Sequence, residues 1–244
     1  MHSEGTIASV NTGPVIEADW AGRMKRTAID KRSAAGAVGV GLLGLDGDDQ
    51  ADREHHGGPD KAVYAYARED LDAWQERLGR TLRDGAFGEN LTTIGVDVTG
   101  AVIGEQWRAG TALLEVTLPR TPCRVFQAWV GEAQWVKSFT EEGRFGVYLR
   151  VLDEGRVRAG DPVEVVHRPG HGITAASGFA AGRRADVGLL ERIVALPDAA
   201  TAWKGVLDRA RTRRARSGTN GREGTKEAEG AATGSGPTGD EIGL

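Results

Sequence analysis

The chain has 244 residues, 39% of them hydrophobic and 27% charged, the composition of a globular protein with one principal domain and a sizeable core. A formal net charge of -4 and a pI near 5.8 exclude non-specific nucleic-acid binding as the main activity, because that needs a basic excess to displace counterions. A single cysteine excludes an internal disulfide, a cysteine-held iron–sulfur cluster and a Cys-rich zinc site.

From Gly5 to about Val166 the apolar residues come in short runs divided by Gly, Pro and Asp. Runs at 6–10, 37–43, 112–118, 145–152 and 162–166 are rich in Val, Leu and Ile, which predicts strands of a sandwich or barrel. Two helices interrupt them. Residues 68–78 place Leu71, Trp74 and Leu78 on one face, and 125–139 offer Phe126, Trp129, Val130 and Trp135 to a core. Beyond the strands, 186–196 and 202–211 carry Leu190, Ile193, Trp203 and Val206 at helical spacing on either side of Pro197, predicting a small helical appendage. Residues 217–244 are mostly Gly, Ser, Thr, Ala and charge, so a disordered, dispensable tail is expected. With no apolar run of about 18 residues and no secretory-type core in 1–10, a cytoplasmic protein without membrane contacts is the expectation.

Three segments concentrate chemistry. Cys123 lies in Pro119-Arg120-Thr121-Pro122-Cys123-Arg124, between a predicted strand and a predicted helix. A helix N-terminus and two flanking arginines favour the metal-ligating thiolate, although a free cysteine is also an ordinary buried residue. The second segment, 47–62, gathers Asp48, Asp52, His55, His56 and Lys61 around Gly57 and Gly58, as a ligand cradle or a solvated loop. Zinc held by Asp52, His55, His56 and Cys123 is a weaker reading, since adjacent histidine rings point apart on most backbones. In the third, Gly85-Ala86-Phe87-Gly88-Glu89-Asn90-Leu91, Asn90 offers both donor and acceptor to a heterocycle edge, or closes an Asx-type turn. Neither the Walker nor the dinucleotide glycine spacing is present.

In this order the segments resemble MOSC-domain proteins of the YiiM type. The resemblance runs from Thr6-Ile7-Ala8-Ser9-Val10 and Thr27-Ala28-Ile29-Asp30-Lys31 through 47–66, Phe87-Gly88-Glu89-Asn90-Leu91 and Arg120-Thr121-Pro122-Cys123. It continues over Gly143-Arg144-Phe145-Gly146-Val147-Tyr148-Leu149-Arg150-Val151 to Gly160-Asp161, Leu196-Pro197 and Trp203. The departures are Arg53-Glu54-His55, the loop 34–39 and the tail. The resemblance implies a mostly β fold with some helix: a closed, Greek-key-rich β-barrel over 1–168, a three-helix domain over 169–216, and the tail at 217–244.

It also implies a molybdenum cofactor, Mo-molybdopterin, with Cys123 as the protein ligand to the metal. The activity implied is an oxidoreductase that detoxifies N-hydroxylated compounds, such as hydroxylaminopurines and amidoximes, by reducing them to amines or amidines. A sulfur or metal–sulfur carrier without turnover is the alternative. His56, Gly57, Gly58, Lys61, Gly88, Glu89, Asn90, Arg120, Arg124 and Arg150 are the expected cofactor-binding residues, cations being needed for the pterin phosphate. Lys31 and Asp52 are candidates for proton delivery, or for a structural ion pair. No lysine-centred signature supports pyridoxal phosphate. With Cys123 committed to metal, a separate reductase is expected to supply the electrons.

Overall fold

The computed structural model describes residues 4–51 and 57–223, with side chains over 5–51 and 57–217. In chain order come β1 (Glu4–Thr12), a short hairpin of β2 (Ile16–Glu17) and β3 (Arg26–Thr27), then β4 (Arg32–Ser33), β5 (Val38–Gly41) and β6 (Gly44–Leu45). After them lie β7 (Val63–Ala67), α1 (Arg68–Leu78), β8 (Leu91–Ile94), β9 (Gln106–Ala109) and β10 (Ala112–Pro119). The chain continues through α2 (Arg124–Val130), α3 (Trp135–Glu142), β11 (Val147–Asp153), β12 (Gly155–Val157) and β13 (Pro162–His167). It ends in α4 (Ala175–Arg184), α5 (Val187–Val194) and α6 (Ala202–Glu223).

Seven strands close on themselves in the order β1-β8-β7-β11-β10-β9-β13, and β13 pairs back onto β1. Closure removes the free edges an open sheet would expose. All these pairings are antiparallel except β7 with β8, whose parallel register is what a crossover through α1 demands. β4 adds to β1, and β5, β6 and β12 form a separate three-stranded sheet.

β7 shows how the strands divide the interior. All five of its residues are buried, yet successive side chains must point to opposite faces. Val63, Ala65 and Ala67 enter the barrel core with Trp107, Leu114, Leu149 and Val163. Tyr64 and Tyr66 point outward, into a second cluster built from Trp74, Phe87, Phe126, Trp135 and Phe139. The rings there meet mostly edge-on, as Phe126 and Trp135 do at 5.4 Å, the arrangement their quadrupoles favour. Thus α1, α2 and α3 are held to the barrel wall by aromatic packing.

The helix expected over 125–139 is two helices. Gly131 takes the left-handed conformation (φ 76°) that closes α2, and α3 begins at Trp135. The run at 37–43 is also shorter as a strand: the chain turns at Leu42 and Leu43, both exposed. α4 supplies the third helix that the resemblance implies over 169–216; apolar spacing does not mark it, because its buried face is Ala and Gly with Phe179 as the one large side chain. Gly178 is needed there, since a Cβ would stand 2.5 Å from the Trp203 ring. α6 continues to Glu223, past the expected boundary at Arg216; residues 224–244 lie outside the described region. The three C-terminal helices pack on the barrel: Trp203 Nε1 donates to the Thr117 carbonyl at 3.1 Å, and Phe179 meets Phe145 at 4.1 Å.

Candidate functional site

Strand β10 ends at Pro119, and Arg120-Thr121-Pro122 carries the chain to Cys123, the N-cap residue of α2. Its backbone is extended (φ -130°, ψ 172°), and its carbonyl accepts from Gln127 N at 3.0 Å, the first turn of the helix. The free thiol is half-buried against the outer aromatic cluster. A helix N-terminus leaves backbone N–H groups and partial positive charge beside this position.

Arg120 is 7% exposed, and its guanidinium lies 3.5 Å from the Phe126 ring centre and 5.5 Å from that of Tyr64. It hydrogen-bonds the Tyr148 phenol, yet its Nη1 has no partner and no described carboxylate pairs with it. A buried cation in this state is costly unless an anion completes it. The Thr121 hydroxyl beside it is likewise buried and unpartnered. Burial pushes the Tyr148 phenol above its ordinary range, and a negative charge on Cys123 pushes the same way, while Arg120 opposes both. Lys61, at the end of a 3-10 turn (Pro59–Lys61), has its ammonium 5.6 Å from the centre of the Tyr148 ring. Cys123, Arg120, Tyr148 and Lys61 therefore form one group.

A second group lies across Tyr64. Lys31, 7% exposed, forms an ion pair with Asp48. Asp48 also accepts from Gly13 N at 3.0 Å and from Asn90 Nδ2 at 2.9 Å. Asn90 Oδ1 accepts from Tyr64 N at 3.0 Å. Tyr64 thus joins this network through its backbone and the Arg120–Tyr148 group through its ring, which meets Tyr148 at 5.3 Å.

The remaining candidates are placed as follows. Gly88 (φ 78°) packs against Ile29, where an added Cβ would come within 3.0 Å. Glu89 is fully buried and accepts from Gly85 N at 2.6 Å, Phe87 N at 2.9 Å and the Thr92 hydroxyl at 3.0 Å. Arg150 is engaged by Asp60 at 2.7 Å and Glu115 at 3.7 Å. Arg124 is exposed at the first turn of α2. Gly57 and Gly58 (φ 89°) lead into the 3-10 turn. Asp52, His55 and His56 lie outside the described residues, among which no group of three or more His, Cys, Asp or Glu is arranged to hold a metal. No described helix is long and apolar enough to cross a membrane.

The MOSC domain profile matches residues 52–164, the stretch holding Lys61, Asn90, Arg120, Cys123 and Tyr148. A Bacillus subtilis protein, YflK, is 38% identical over 169 residues, which are 69% of this chain and 76% of its own. The chain belongs to the MOSC family. The crystal structure of YiiM from Geobacillus stearothermophilus shares the fold with a TM-score of 0.70 and 29% identity, over 84% of this chain and 98% of the other. A Gibberella moniliformis protein named a reductase is 31% identical over 169 residues, which are 68% of this chain but 30% of its own length. One residue of this MOSC site, Tyr148, was not singled out from sequence and read as a strand residue. Asp48 was named within the 47–62 segment but not as the ion-pair partner of Lys31, a place given to Asp52, which lies outside the described residues. The only sequence signal for Tyr148 is its place in the motif Gly146-Val147-Tyr148-Leu149-Arg150.

Proposed function

We propose that the protein is a molybdenum-cofactor-dependent reductase of N-hydroxylated compounds, with Cys123 as the protein ligand to the metal. The observation that carries this reading is Arg120, a nearly buried cation three residues before the cysteine with an N–H that nothing among the described residues satisfies. A pterin cofactor needs a thiolate for its metal and donors for its anionic phosphate, and Cys123, Arg120 and the unpartnered Thr121 hydroxyl are that donor set. Family membership is consistent with it, as is a relative named a reductase.

When bound, the cofactor supplies a two-electron centre able to accept an oxygen atom. The overall change is reduction of an N–OH group to N–H with release of water, consuming two electrons and two protons. The protein's part is binding, orientation and proton supply. Arg120 and Lys61 hold negative charge near Cys123, and the Tyr148 phenol, kept protonated by burial, is a donor beside them. Lys31, tied to Asp48, orients Asn90 and through it the backbone of Tyr64. Electrons come from a separate protein. The Gibberella relative, named a reductase, carries a chain of which the matched region is 30%, so it has room for further domains beside this one.

The test is protein made in a cofactor-competent host, assayed for molybdenum and for turnover of an N-hydroxylated purine with dithionite. The expected result is molybdenum near one per chain and turnover that Cys123→Ser abolishes, an alcohol being a much harder and less acidic ligand than a thiol. Metal-free protein, or full turnover by the serine variant, overturns the proposal. Metal or sulfur bound without turnover would favour a carrier.

A further inference from the structure

Three of the large hydrophobic side chains exposed among the described residues fall close together in the chain: Ile16, Trp20 and Met24, exposed by 37%, 41% and 45%. Single exposed apolar residues are ordinary on any surface, whereas a group of them marks a contact site. All three stand on the arm made by β2 and β3, which pair with each other in a sheet separate from the barrel. The arm is held by its own backbone. Ala18 N donates to the Lys25 carbonyl at 2.8 Å, and the chain turns through a 3-10 element (Gly22–Met24) that ends in left-handed Lys25 (φ 49°). An open groove of about 550 Å³ runs along it, lined among others by Ile16, Glu17, Asp19, Met24, Lys25 and Arg26.

The arm touches the Cys123 site at both ends. It leaves from Gly13, whose N–H donates to Asp48, and returns to Lys31, the ion-pair partner of Asp48. Its tip lays Trp20 on Trp129 with ring centres 5.8 Å apart, and Trp129 is fixed by its Nε1 bond to the Ala86 carbonyl at 2.7 Å. Trp129 follows Cys123 along α2 by about 9 Å of helix rise.

The ordinary explanation of Trp20 is a pin that holds the arm down, but it leaves Ile16 and Met24 unexplained. Distance decides which kind of ligand fits. A small substrate must place its reacting atom against Cys123 itself, and the tip is separated from it by that helix rise and a ring stack. A redox encounter buries under about 1,200 Å² in total, so each partner contributes a face of about 600 Å², roughly 14 Å in radius. A protein seated on the arm therefore reaches as far as the Cys123 end of α2.

Charge and composition supply the class of partner. From Ile16 to Ser33 the chain holds five Lys and Arg against three Asp and Glu, which puts this stretch at +2 and the rest of the chain at -6. Such a distribution turns an acidic partner toward the arm and away from the remaining surface. Arg23, Lys25 and Arg26 are exposed around the apolar group, and Trp, Met and Arg are the residues that interface centres favour. A wedge that enters a membrane needs side chains that project freely, whereas these three are each more than half covered and Trp20 is laid against Trp129.

We propose that the arm of β2 and β3, with Ile16, Trp20 and Met24 at its centre and Arg23, Lys25 and Arg26 around them, is the docking site for a small acidic electron-carrier protein. This rests on the reductase reading above, in which electrons come from a separate protein. The test uses the full, cofactor-loaded chain with two probes, an acidic flavodoxin and an acidic [2Fe–2S] ferredoxin, and measures Kd against ionic strength. The variant joins Arg23→Glu to Met24→Ala; Met24→Ala alone leaves every backbone bond of the arm in place, and Ile94→Ala, an equally exposed residue on the barrel wall, is the control.

The expected result is salt-sensitive binding of at least one carrier, weakened about tenfold by the double variant, about threefold by Met24→Ala and little by the control. Carrier-driven reduction should slow in parallel, with dithionite-driven turnover unchanged. Absent or salt-insensitive binding of both carriers, or binding indifferent to both arm variants, overturns the proposal. Binding to phosphatidylserine vesicles that depends on Met24 and Arg23, with neither carrier bound, overturns it in favour of a membrane surface. If dithionite gives no turnover while arm-dependent carrier binding persists, the reductase reading fails and the docking site stands.

Discussion

Replacing Glu89 with Gln separates a ligand from a loop staple. The carboxylate accepts from Gly85 N, Phe87 N and the Thr92 hydroxyl, all in a fully buried setting. Gln keeps one acceptor oxygen, which can retain Gly85 N and the Thr92 hydroxyl. Its amide nitrogen then faces Phe87 N, donor against donor. One backbone N–H and one amide are left unsatisfied, and a buried unsatisfied group costs about 1–3 kcal/mol, so a loss of about 2–4 kcal/mol is expected at acidic pH. The pH dependence has a definite sign. Burial raises the Glu89 pKa above its ordinary 4.5, outweighing the hydrogen bonds that lower it. The native state therefore holds the extra proton, and this contribution to wild-type stability is full below 4.5 and declines as pH rises through the raised native value. The Gln variant lacks that decline, so the gap between the two should narrow with pH. Urea unfolding across a pH series, with molybdenum content measured in parallel, provides the check. A variant of unchanged stability that loses its metal would refute the staple and return Glu89 to the cofactor.

Asp48→Asn should destabilise by about 3–5 kcal/mol, because Lys31 would be left as a buried, uncompensated cation, and adding Lys31→Met should recover much of the loss in denaturant titrations. Gly178→Ala should destabilise by about 1–3 kcal/mol through overpacking against Trp203 and should blue-shift or red-shift that indole's fluorescence as its contacts change. Truncation after Arg216 removes no described buried residue, the last in α6 being Ala210, and should leave the melting temperature within about 2 °C.

The barrel was legible in the sequence because its strands obey a local rule. Short Val/Leu/Ile runs between turn residues marked β1, β10, β11 and β13 to within a few residues, and Leu71 and Trp74 marked α1 at both ends. What escaped was set by tertiary context. α4 was implied only by the resemblance, as the third helix over 169–216; its buried face is mostly Ala and Gly, which carries no apolar spacing, and Trp203 packs on it at Gly178. The break between α2 and α3 turns on one left-handed glycine in a segment whose aromatic residues continue across it. At the site, Cys123 and its arginines were evident as adjacent residues of suitable chemistry. Tyr148, and the pairing of Asp48 with Lys31, were not, since each is set by a residue distant in sequence, Arg120 in one case and Lys31 in the other.

Arg120 shows where this fold gives up stability for its site. The guanidinium is nearly buried with one N–H unsatisfied and no described carboxylate beside it, and its desolvation costs several kcal/mol. Stacking on Phe126 at 3.5 Å returns only about 2 kcal/mol, and the bond to Tyr148 about 1–3 kcal/mol more. Without an anion the residue is thus near neutral or unfavourable for folding, and with one it is favourable. Arg120→Met preserves the apolar stem against Phe126 and removes the charge. The cofactor-free variant should accordingly match or exceed the wild type in denaturant midpoint, while the cofactor-loaded wild type should exceed both. The same variant should retain little molybdenum after dialysis. Unfolding curves of the two proteins, each with and without cofactor, test the argument with no assay of turnover. A cofactor-free Arg120→Met protein less stable than wild type by several kcal/mol would show that the arginine is already completed within the chain. The unpartnered N–H would then carry no message about a ligand.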